Sequence, residues 1–591
     1  MHMKTWFSGI FLVVLLSFFA VRSLFAPNFF PMHDDTQVAR VYEMYKALAD
    51  GMFPVRWVSD LGYGYGYPIF NFYAPLAYYV GAFFMFLGFN ALVATKIMIG
   101  TGLVLAGVFM YFLARVFWGK IGGIISGLLY LYAPYHALNV YVRGAVAETW
   151  AYALLPLAFL GVFQVYKGSE EYANLQPRSK IKDQRSKISR NIWYWICLTS
   201  LSFAAIILSH NLTAMMVTPF IFAFALFLYV KLRLSELIYK PYFVLLGLLI
   251  GMLLSAFYSL PVIFEMKFTD VLSVVGGGSD YNDHFACLSQ LWNSPWGFAG
   301  SAPGCNDGFS LKIGKLHIIL AALSFISLVR LRSIDKSKFQ TSILFMLFLL
   351  VSAFLTIKES KFIWDMIPHM AFFQFPWRFL VLICFFISFL GGCVFRILKT
   401  TSAKNMYYKF VYWGAGTVMI AAIILVNSKL FVPQEFNQRT SDDYTSENEL
   451  KWRVSKISDE YMPKNFLKPI IPFSFPQGKI TKNEKIIVSN ISEKTQKISF
   501  TTNASQSAEL NLNIAYFPGW HVYVDDNQEW FGYSNKGLVL KIPQGEHKID
   551  IKFIQTPVEK IGNALTVAGV MVLVIGIIKL RKNESKQKKA T

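Results

Sequence analysis

The sequence predicts an α-helical polytopic membrane protein that carries a β-sandwich-like domain outside the membrane near its C-terminus. Hydrophobic residues make up 55% of the 591 residues and charged residues only 15%, against about 45–50% and about 25% in soluble domains. The apolar residues form runs that are long enough to cross a bilayer, and the polar stretch 431–560 contains segments that alternate as strands do. This composition excludes a collagen-like, disordered or small disulfide-stapled protein.

The membrane-spanning part is predicted from runs of about 20 apolar residues, the length that crosses the hydrocarbon core. The first run follows Lys4 and shows no small-residue cleavage site, so we interpret it as a retained span and not as a signal peptide. Pro68 and Pro75 interrupt the second run, which is a partial crossing unless a further span exists. The sequence therefore predicts about 12–14 crossings. The candidate spans are 6–26, 69–89, 92–114, 120–137, 147–166, 192–210, 212–230, 241–263, 314–330, 341–357, 378–398, 408–430 and 561–580.

Charge assigns the loops to the two sides of the membrane. Lys and Arg number 56 and Asp and Glu 35, which gives a net charge of +21, but the basic residues lie in short loops and not in one soluble patch. Basic loops face the cytoplasm, so 167–191 and the tail 579–591 are predicted inside and the acid-leaning loop 264–313 outside. The basic residues would contact membrane lipids, and no nucleic-acid partner is predicted.

The chain divides into three predicted parts. Residues 1–430 form a multi-span module with large external loops at 27–74 and 264–313, residues 431–560 an extracytoplasmic β-rich domain, and residues 561–591 the final transmembrane helix and a basic cytoplasmic tail. Cys287 and Cys305 share the second loop, and a disulfide and an unlinked pair are both compatible with the sequence. The predicted strands are 497–502, 509–517, 520–524, 538–542 and 547–554.

The first external loop contains the strongest candidate for catalysis. His33, Asp34 and Asp35 precede a stretch, 36–51, whose apolar residues recur at helical spacing, so we expect an amphipathic helix along the membrane surface. A carboxylate at the start of this helix would cap it. Capping explains one Asp, whereas two adjacent carboxylates beside a His indicate a general base that acts on an acceptor hydroxyl.

The same loop continues with an arginine and several tyrosines that are candidates for substrate binding. Arg56, beside Trp57, would hold a lipid phosphate through two hydrogen bonds or would extend to ordinary head groups. Tyr65, Tyr67 and Tyr73 would stack on a sugar or would anchor a flexible turn at the interface. Spacing alone favours the anchoring role for the tyrosines.

A second external turn contains Arg143 and Glu148, the only charged residues between Lys120 and Lys167. The two would form a surface ion pair worth less than about 1 kcal/mol, or they would belong to a site. Isolated charges at the ends of apolar helices are functional more often than surface charges on soluble proteins.

Two further candidates lie at the outer ends of later spans. Trp377 and Arg378 lie at the outer end of span 378–398 and would anchor it at the interface or bring a third arginine to the outer face. His210 lies at the turn between two spans and would line a cavity or cap a helix, with capping the more economical interpretation.

The candidate residues converge on one kind of chemistry. The sequence contains no P-loop, no GxGxxG after a strand and no HExxH, and no cytoplasmic loop is long enough for a nucleotide-binding domain. Acidic residues and arginines at the outer face would act on a donor that the membrane delivers already activated, such as a polyprenyl-phosphate-linked sugar. The arginines would stabilise the phosphate leaving group, and a carboxylate would deprotonate the acceptor as in an inverting glycosidase.

The motifs also carry a family resemblance. The chain resembles a bacterial integral-membrane family labelled 6-pyruvoyl-tetrahydropterin synthase-related, the YfhO-like proteins and, more widely, the GT-C glycosyltransferases. The motifs that carry it are His33-Asp34-Asp35, Phe53-Pro54-Val55-Arg56-Trp57, Leu61–Pro68, Phe72-Tyr73-Ala74-Pro75, Arg143-Gly144-Ala145, Glu148, Phe375-Pro376-Trp377-Arg378, Tyr516-Phe517-Pro518-Gly519-Trp520 and Pro543–His547.

The resemblance implies a GT-C fold in a bacterial cytoplasmic membrane, with a lipid-linked sugar donor and a catalytic acidic residue, Asp34 or Asp35, in the first external loop. The acceptor would be a cell-envelope glycan, glycolipid or protein. A divalent cation at Asp34 and Asp35 is compatible with the chemistry, but two ligands from one loop are too few to assert it. The alternatives are a flippase or exporter of lipid-linked sugars or envelope polymer, against which the uncharged interiors of the spans argue, and a non-catalytic envelope scaffold.

Overall fold

The computed structural model describes residues 2–175, 182–234, 242–402, 405–472 and 474–588. Residues 176–181 of the predicted loop 167–191, residue 241 of a predicted span and residues 589–591 of the predicted tail lie outside the described residues. The helices are α1 (His2–Val21), α2 (Gln37–Ala49), α3 (Ile69–Phe72), α4 (Leu76–Phe86), α5 (Ala91–Leu131), α6 (Pro134–Leu138), α7 (Val146–Ala173), α8 (Lys182–Ser209), α9 (Asn211–Leu234), α10 (Phe243–Leu254), α11 (Ala256–Glu265), α12 (Leu288–Trp292), α13 (Lys315–Ile334), α14 (Lys336–Thr356), α15 (Lys361–Met366), α16 (Leu380–Gly391), α17 (Cys393–Ser402), α18 (Met406–Asn427), α19 (Ser441–Thr445), α20 (Ser455–Ile457) and α21 (Pro557–Lys588). The strands are β1 (Ile486–Lys494), β2 (Lys497–Ala504), β3 (Ala508–Leu512), β4 (Trp520–Val524), β5 (Asn527–Glu529), β6 (Gly532–Ser534), β7 (Gly537–Ile542) and β8 (Gly545–Phe553).

The helices make this a multi-pass membrane protein. Within the described residues, ten helices are long and apolar enough to cross a membrane, or eleven when the bent pair α10 and α11 is counted as one span. One of the ten runs through α5, which breaks at Gly119, where φ is +80°. A Cβ on Gly127 would lie 2.7 Å from the carbonyl oxygen of Gly107, although a straight helix would separate these residues by about 30 Å.

The two halves of α5 therefore fold back on each other, and α5 supplies two crossings. With α5 counted twice, the described part of the chain has twelve candidate crossings, within the predicted range. An even number places both ends of the chain on one side of the membrane. Glycine tolerates the left-handed conformation at the break because it has no Cβ.

The predicted span 69–89 is a partial crossing. Its residues form the short helices α3 and α4, separated by the non-helical residues Tyr73, Ala74 and Pro75. The longer of the two, α4, has 11 residues, so it is only about 16 Å long and does not reach across a hydrocarbon core of about 30 Å.

The β strands form a sandwich, as predicted. All strand pairs are antiparallel, with the order β1-β2-β8-β4-β5 in one sheet and β3-β7-β6 in the other. Alternate side chains such as Ile498, Phe500 and Ile551 are buried between the sheets. The edge strand β1 was not predicted from the sequence because most of its residues are exposed and polar. The predicted strand 509–517 ends at Leu512, because Asn513 and Ala515 donate their backbone N–H groups outside the sheet, to the Lys479 and Tyr65 carbonyls.

The β domain lies directly on the first external loop. The Asp50 carboxylate accepts hydrogen bonds of 2.7 Å from both the N–H and the hydroxyl of Thr495, between β1 and β2. The Trp57 and Trp520 rings meet edge to face with centroids 5.2 Å apart. The sandwich is therefore held on the same face of the membrane part as the loop that carries the two aspartates.

Candidate active site

The backbone around Asp34 is held against the turn that precedes α7. The Asp34 N–H donates to the Arg143 carbonyl oxygen at 2.9 Å. The Gln37 side-chain amide donates to the carbonyl oxygens of Asp34 (3.1 Å) and Gly144 (2.9 Å), and its oxygen accepts from the Tyr78 hydroxyl. Two turns that are more than a hundred residues apart in sequence are thus joined by hydrogen bonds.

Asp34 and Asp35 differ in their surroundings, and this distinguishes their roles. The Asp35 carboxylate is buried, and its Oδ2 lies 2.9 Å from Arg453 Nη2 and 3.5 Å from Arg439 Nη1. Arg439 also pairs with Glu449 at 2.6 Å. Asp34 is exposed, and no described residue donates a hydrogen bond to its carboxylate. The Asp34 carboxylate is therefore available to a ligand, whereas the Asp35 carboxylate is engaged in ion pairs with Arg453 and Arg439.

Neither aspartate caps the helix that follows. α2 begins at Gln37, its N-cap residue is Thr36, and Thr36 makes no side-chain capping bond. The capping alternative for the aspartates is therefore wrong. The polar face of this helix is not exposed to water, because Arg40 and Glu43 are buried together with its apolar residues.

Arg143 and Glu148 form a buried pair and not a surface pair. Arg143 Nη1 lies 2.9 Å from Glu148 Oε2 and also donates to Asn139 (2.5 Å) and the Tyr135 hydroxyl (3.3 Å). Tyr135 in turn donates to Glu148 Oε1 at 2.5 Å. The guanidinium lies over the Trp377 ring, 4.7 Å from its centroid. These polar bonds all use Nη1. The N–H donors on Nη2 and Nε of Arg143 therefore stay available.

Arg378 lies close to this pair and also has unused donors. Its Nη1 donates to the Phe373 carbonyl (2.8 Å) and to Gln374 Oε1 (2.9 Å), while its buried Nε has no partner among the described residues. The Asp34 carboxylate is near enough to interact electrostatically with both Arg143 and Arg378. An uncommitted carboxylate and two of the three predicted arginines, each with free N–H groups, therefore lie within range of electrostatic interaction.

The loop 264–313 lies next to this group. His33 Nε2 lies 2.8 Å from the Phe298 carbonyl oxygen, and the Trp377 indole N–H donates to the Ser301 hydroxyl at 3.1 Å. Cys287 and Cys305 are joined by a disulfide within the loop, with Cα atoms 5.7 Å apart. Of the two alternatives for these cysteines, the structure has the linked one.

His210 caps α9 and also lies near the site. Its Nδ1 accepts from the Thr213 backbone N–H at 3.3 Å and lies 2.8 Å from the Thr213 hydroxyl. Its ring is near enough to Glu148 and Arg378 to interact with both. The favoured interpretation of His210 as a capping residue is confirmed by this geometry.

A buried arginine that the sequence analysis did not select shares Tyr73 and Tyr78 with Asp34 as electrostatic neighbours. Arg40 is 4% exposed, makes no ion pair with a described carboxylate, and has a buried Nε without a partner in the described chain. Its guanidinium lies 4.2 Å from the centroid of the Tyr73 ring, one of the predicted site tyrosines. Asp34 interacts electrostatically with Tyr73 and Tyr78. The only sequence signal was a charged residue at a position that the amphipathic pattern places in solvent.

Glu460 is near enough to Arg40 to interact with it electrostatically. Burial raises the pKa of Glu460 to about 7; Arg40 and Lys468 oppose the shift and Asp459 adds to it. The next residue, Tyr461, stacks on Tyr67 with ring centroids 6.1 Å apart. The segment that contains Glu460 and Tyr461 thus approaches Arg40 and supplies a carboxyl group whose pKa lies near 7.

Asp34, Arg143 and Arg378 form the Asp34 group. The structure does not bring the remaining predicted residues to this group. Tyr67 donates to or accepts from Ser458 at 2.9 Å, and Tyr65 packs edge to face on Phe466. Arg56 donates to Asn71 (2.8 Å), to the Phe257 carbonyl (2.9 Å) and to Asn563 (3.2 Å), and its Nε lies 3.6 Å from Glu559. Arg56 therefore joins the first loop to α11 and α21.

The aspartate pair does not fit a two-carboxylate cation site. Asp35 is already neutralised by two arginines, which leaves one free carboxylate. In the part of the chain that the structure describes, no group of three or more His, Cys, Asp or Glu comes together. We derive no step through a metal ion.

Comparison with known proteins gives distant structural likenesses. No protein-family model and no curated protein matches the chain. Among solved structures, it is similar to the oligosaccharyltransferase of Archaeoglobus fulgidus in its apo form (13% identity, TM-score 0.45, covering 80% of this chain and 62% of that one). The same organism's AglB in complex with an inhibitory peptide and a dolichol-phosphate gives 14% identity, a TM-score of 0.46 and coverage of 80% and 61%. ArnT of Cupriavidus metallidurans bound to undecaprenyl phosphate gives 12% identity, a TM-score of 0.39 and coverage of 78% of each chain.

This chain spans about three-fifths of the length of the oligosaccharyltransferase. At such identities and TM-scores, function has to be inferred from the site itself. The YfhO-like resemblance stays a prediction, because no family model matches.

Proposed function

We propose that this chain is a membrane-embedded glycosyltransferase of the GT-C type, which transfers a sugar from a polyprenyl-phosphate-linked donor to a cell-envelope acceptor on the extracytoplasmic face of a bacterial cytoplasmic membrane. The observation that carries the proposal is the Asp34 carboxylate, whose backbone is fixed by Arg143 and Gln37 while its oxygens have no described donor. A carboxylate that is positioned but unpaired is arranged as a general base requires.

The chemistry follows from the groups that converge there. The acceptor hydroxyl gives its proton to Asp34, and its oxygen forms a bond to the anomeric carbon of the donor sugar. The bond from that carbon to the phosphate oxygen breaks, and its electron pair leaves with the lipid phosphate. Attack from the side opposite the phosphate inverts the anomeric configuration.

Arg143 and Arg378 would stabilise the charge that develops on the leaving phosphate. Each arginine uses Nη1 for hydrogen bonds within the protein and keeps its other N–H donors. Donors held in place before the reaction need no reorganisation during it, which is why such groups contribute strongly to catalysis. Glu148 fixes the Arg143 guanidinium, and Trp377 supports its face.

The experiment that tests this function is a comparison of envelope glycans and lipids by mass spectrometry. A deletion strain should lose a sugar substituent, the wild-type chain should restore it, and Asp34→Asn should not, at equal abundance in the membrane. Asp526→Asn, which changes a carboxylate 79% exposed on the β domain, is the matched control and should restore it fully. Restoration by Asp34→Asn would refute Asp34 as the base.

The exporter alternative predicts a different result. Vesicles that contain the purified protein would move a labelled lipid-linked sugar across the bilayer without transferring it to any acceptor. Asp34→Asn would then leave translocation intact. Transfer without translocation in these vesicles favours the glycosyltransferase.

A further inference from the structure

A cluster of three lysines lies where two membrane helices end on the face that carries the β domain. Lys312 precedes α13, Lys315 is its first residue, and Lys429 follows α18. The candidate spans that contain them, Lys315–Ile334 and Met406–Leu430, end at this level. Lys429 and Lys315 are both within range of electrostatic interaction with Lys312; we call the three residues the lysine patch.

No described carboxylate neutralises the lysine patch. None of the three ammonium groups forms an ion pair with a described Asp or Glu. Burial, together with the two other lysines, lowers the pKa of Lys312. Like charges repel one another more strongly where water is partly excluded. A bound anion would therefore reduce the repulsion among the three ammonium groups, which no described side chain offsets.

Two tryptophans accompany the patch. Lys312 Nζ lies 5.8 Å from the centroid of the Trp296 ring, and Lys315 Nζ lies 5.9 Å from that of Trp292. Trp292 is 51% exposed. Tryptophan is enriched at the level of lipid head groups because its ring is apolar and its N–H is polar.

The helix surface next to the patch is apolar and exposed. Ile319 follows Lys315 by one turn of α13, and Leu425 and Val426 precede Lys429 by one turn of α18; all three side chains are exposed. A molecule that places a phosphate among the lysines therefore meets an apolar surface directly beside it. This combination matches a membrane lipid and not a small soluble anion.

We infer that the lysine patch binds the phosphate of a membrane lipid, with Trp292 and Trp296 beside the head group and the lipid tail along the exposed residues of α13 and α18. Lysine binds phosphate as a compact charge with three donors. The patch shares no residue with the Asp34 group, so the inference does not depend on the proposed transfer reaction. It lies near that group, because Trp296 packs on Phe298 (6.3 Å), whose carbonyl oxygen contacts His33.

The test measures lipid bound to the full-length protein by native mass spectrometry. Detergent-purified protein is incubated with phosphatidylglycerol, with phosphatidylcholine, or with phosphatidylglycerol in the presence of about 5 mM inorganic phosphate, which is roughly five thousand times a micromolar dissociation constant. The test variant combines Lys312→Gln, Lys315→Gln and Lys429→Gln. The control combines Lys482→Gln, Lys485→Gln and Lys536→Gln, which remove the same charge from exposed lysines of the soluble region.

We expect phosphatidylglycerol to bind the wild type and the control in preference to phosphatidylcholine, and inorganic phosphate not to displace it. Each lysine near a membrane surface strengthens anionic binding about fivefold, so the test variant should bind about a hundredfold more weakly. Equal binding by the test variant, or no preference over phosphatidylcholine, overturns the inference. Displacement by inorganic phosphate overturns the assignment to a lipid. If the test variant does not fold, Lys429→Gln alone, at an exposed position, should weaken binding about fivefold, and no change would overturn the inference.

Discussion

Arg453 Nη2 lies 2.9 Å from Asp35 Oδ2, and this ion pair joins residues that are 418 positions apart in the chain. Arg439 approaches the same oxygen at 3.5 Å and stacks on Tyr444, 3.8 Å from its ring centroid. The segment that follows α18 therefore braces the loop that carries Asp34. These two contacts give the adjacent carboxylates different roles, because Asp35 holds the loop and the Asp34 carboxylate remains free.

The first prediction separates the two aspartates. Asp35→Asn leaves Arg453 and Arg439 short of a buried counter-charge and should lower the free energy of unfolding by about 1–3 kcal/mol, less than for a fully buried pair because Arg453 is partly exposed. Asp34→Asn should leave it unchanged and abolish transfer. Thermal unfolding in detergent measures the stability of both variants. Equal destabilisation by the two substitutions would contradict the different roles of Asp34 and Asp35.

The second prediction concerns the buried pair Arg143 and Glu148. Glu148→Gln removes the partner of a buried guanidinium and should destabilise the protein by about 3–5 kcal/mol. Arg143→Gln combined with Glu148→Gln should cost less than the sum of the single changes, because the double variant leaves no unpaired charge. Additive losses in this double-mutant cycle would mean that the two groups do not interact.

The third prediction concerns Arg56. Its guanidinium is bound to Asn71, to the Phe257 carbonyl and to Asn563, so Arg56→Gln should lower stability by about 2–4 kcal/mol, as expected when several buried hydrogen bonds to a charged group are lost. Transfer per folded molecule should be unchanged. A raised KM for the lipid-linked donor at wild-type stability would instead support the phosphate-binding role that the sequence suggested.

The fourth prediction is a pH dependence of stability that arises from Glu460. Its pKa is raised to about 7 in the folded protein by burial, so the folded state holds this proton to a higher pH than the unfolded chain does. The stabilisation is complete below the ordinary glutamate pKa and is lost as the pH rises through 7, by at most about 3 kcal/mol.

Melting temperatures of the wild type between pH 5 and pH 8.5 should therefore fall more steeply than those of Glu460→Gln. Glu484→Gln, an exposed residue of the same soluble region, should keep the wild-type slope. The fourth prediction fails if Glu460→Gln and the wild type give parallel curves.

Much of the fold could be predicted because its signals are local. Runs of apolar residues indicated most of the spans, including the separate runs 92–114 and 120–137, which the structure has as the two halves of α5 on either side of Gly119. The alternation of residues 497–502 indicated a strand, which the structure has as Lys497–Ala504 with one buried face. Strand β1 was missed, since an exposed edge strand has little hydrophobic alternation.

The candidate site could be predicted only in part. The sequence selected Arg143 and Glu148 because isolated charges at the ends of apolar helices are unusual. It selected Asp34 because two adjacent carboxylates stand beside a His, and Arg378 as a further arginine at the outer face. It did not select Arg40, which is buried with neighbours from two distant parts of the chain, Tyr73 and Tyr78 on one part and Glu460 and Tyr461 on the other. A residue that a helical pattern assigns to solvent becomes buried only when another part of the chain covers it.

The sequence by itself determined a membrane protein of many helices with an external β sandwich, because hydropathy and periodicity are properties of neighbouring residues. Only the tertiary structure decided that Asp35 is bound and Asp34 free, that Arg56 fastens α21 to the first loop, and that Lys312 and Lys429 lie together. Each of these depends on contacts between distant residues, which follow from how the whole chain packs and not from any short stretch of it.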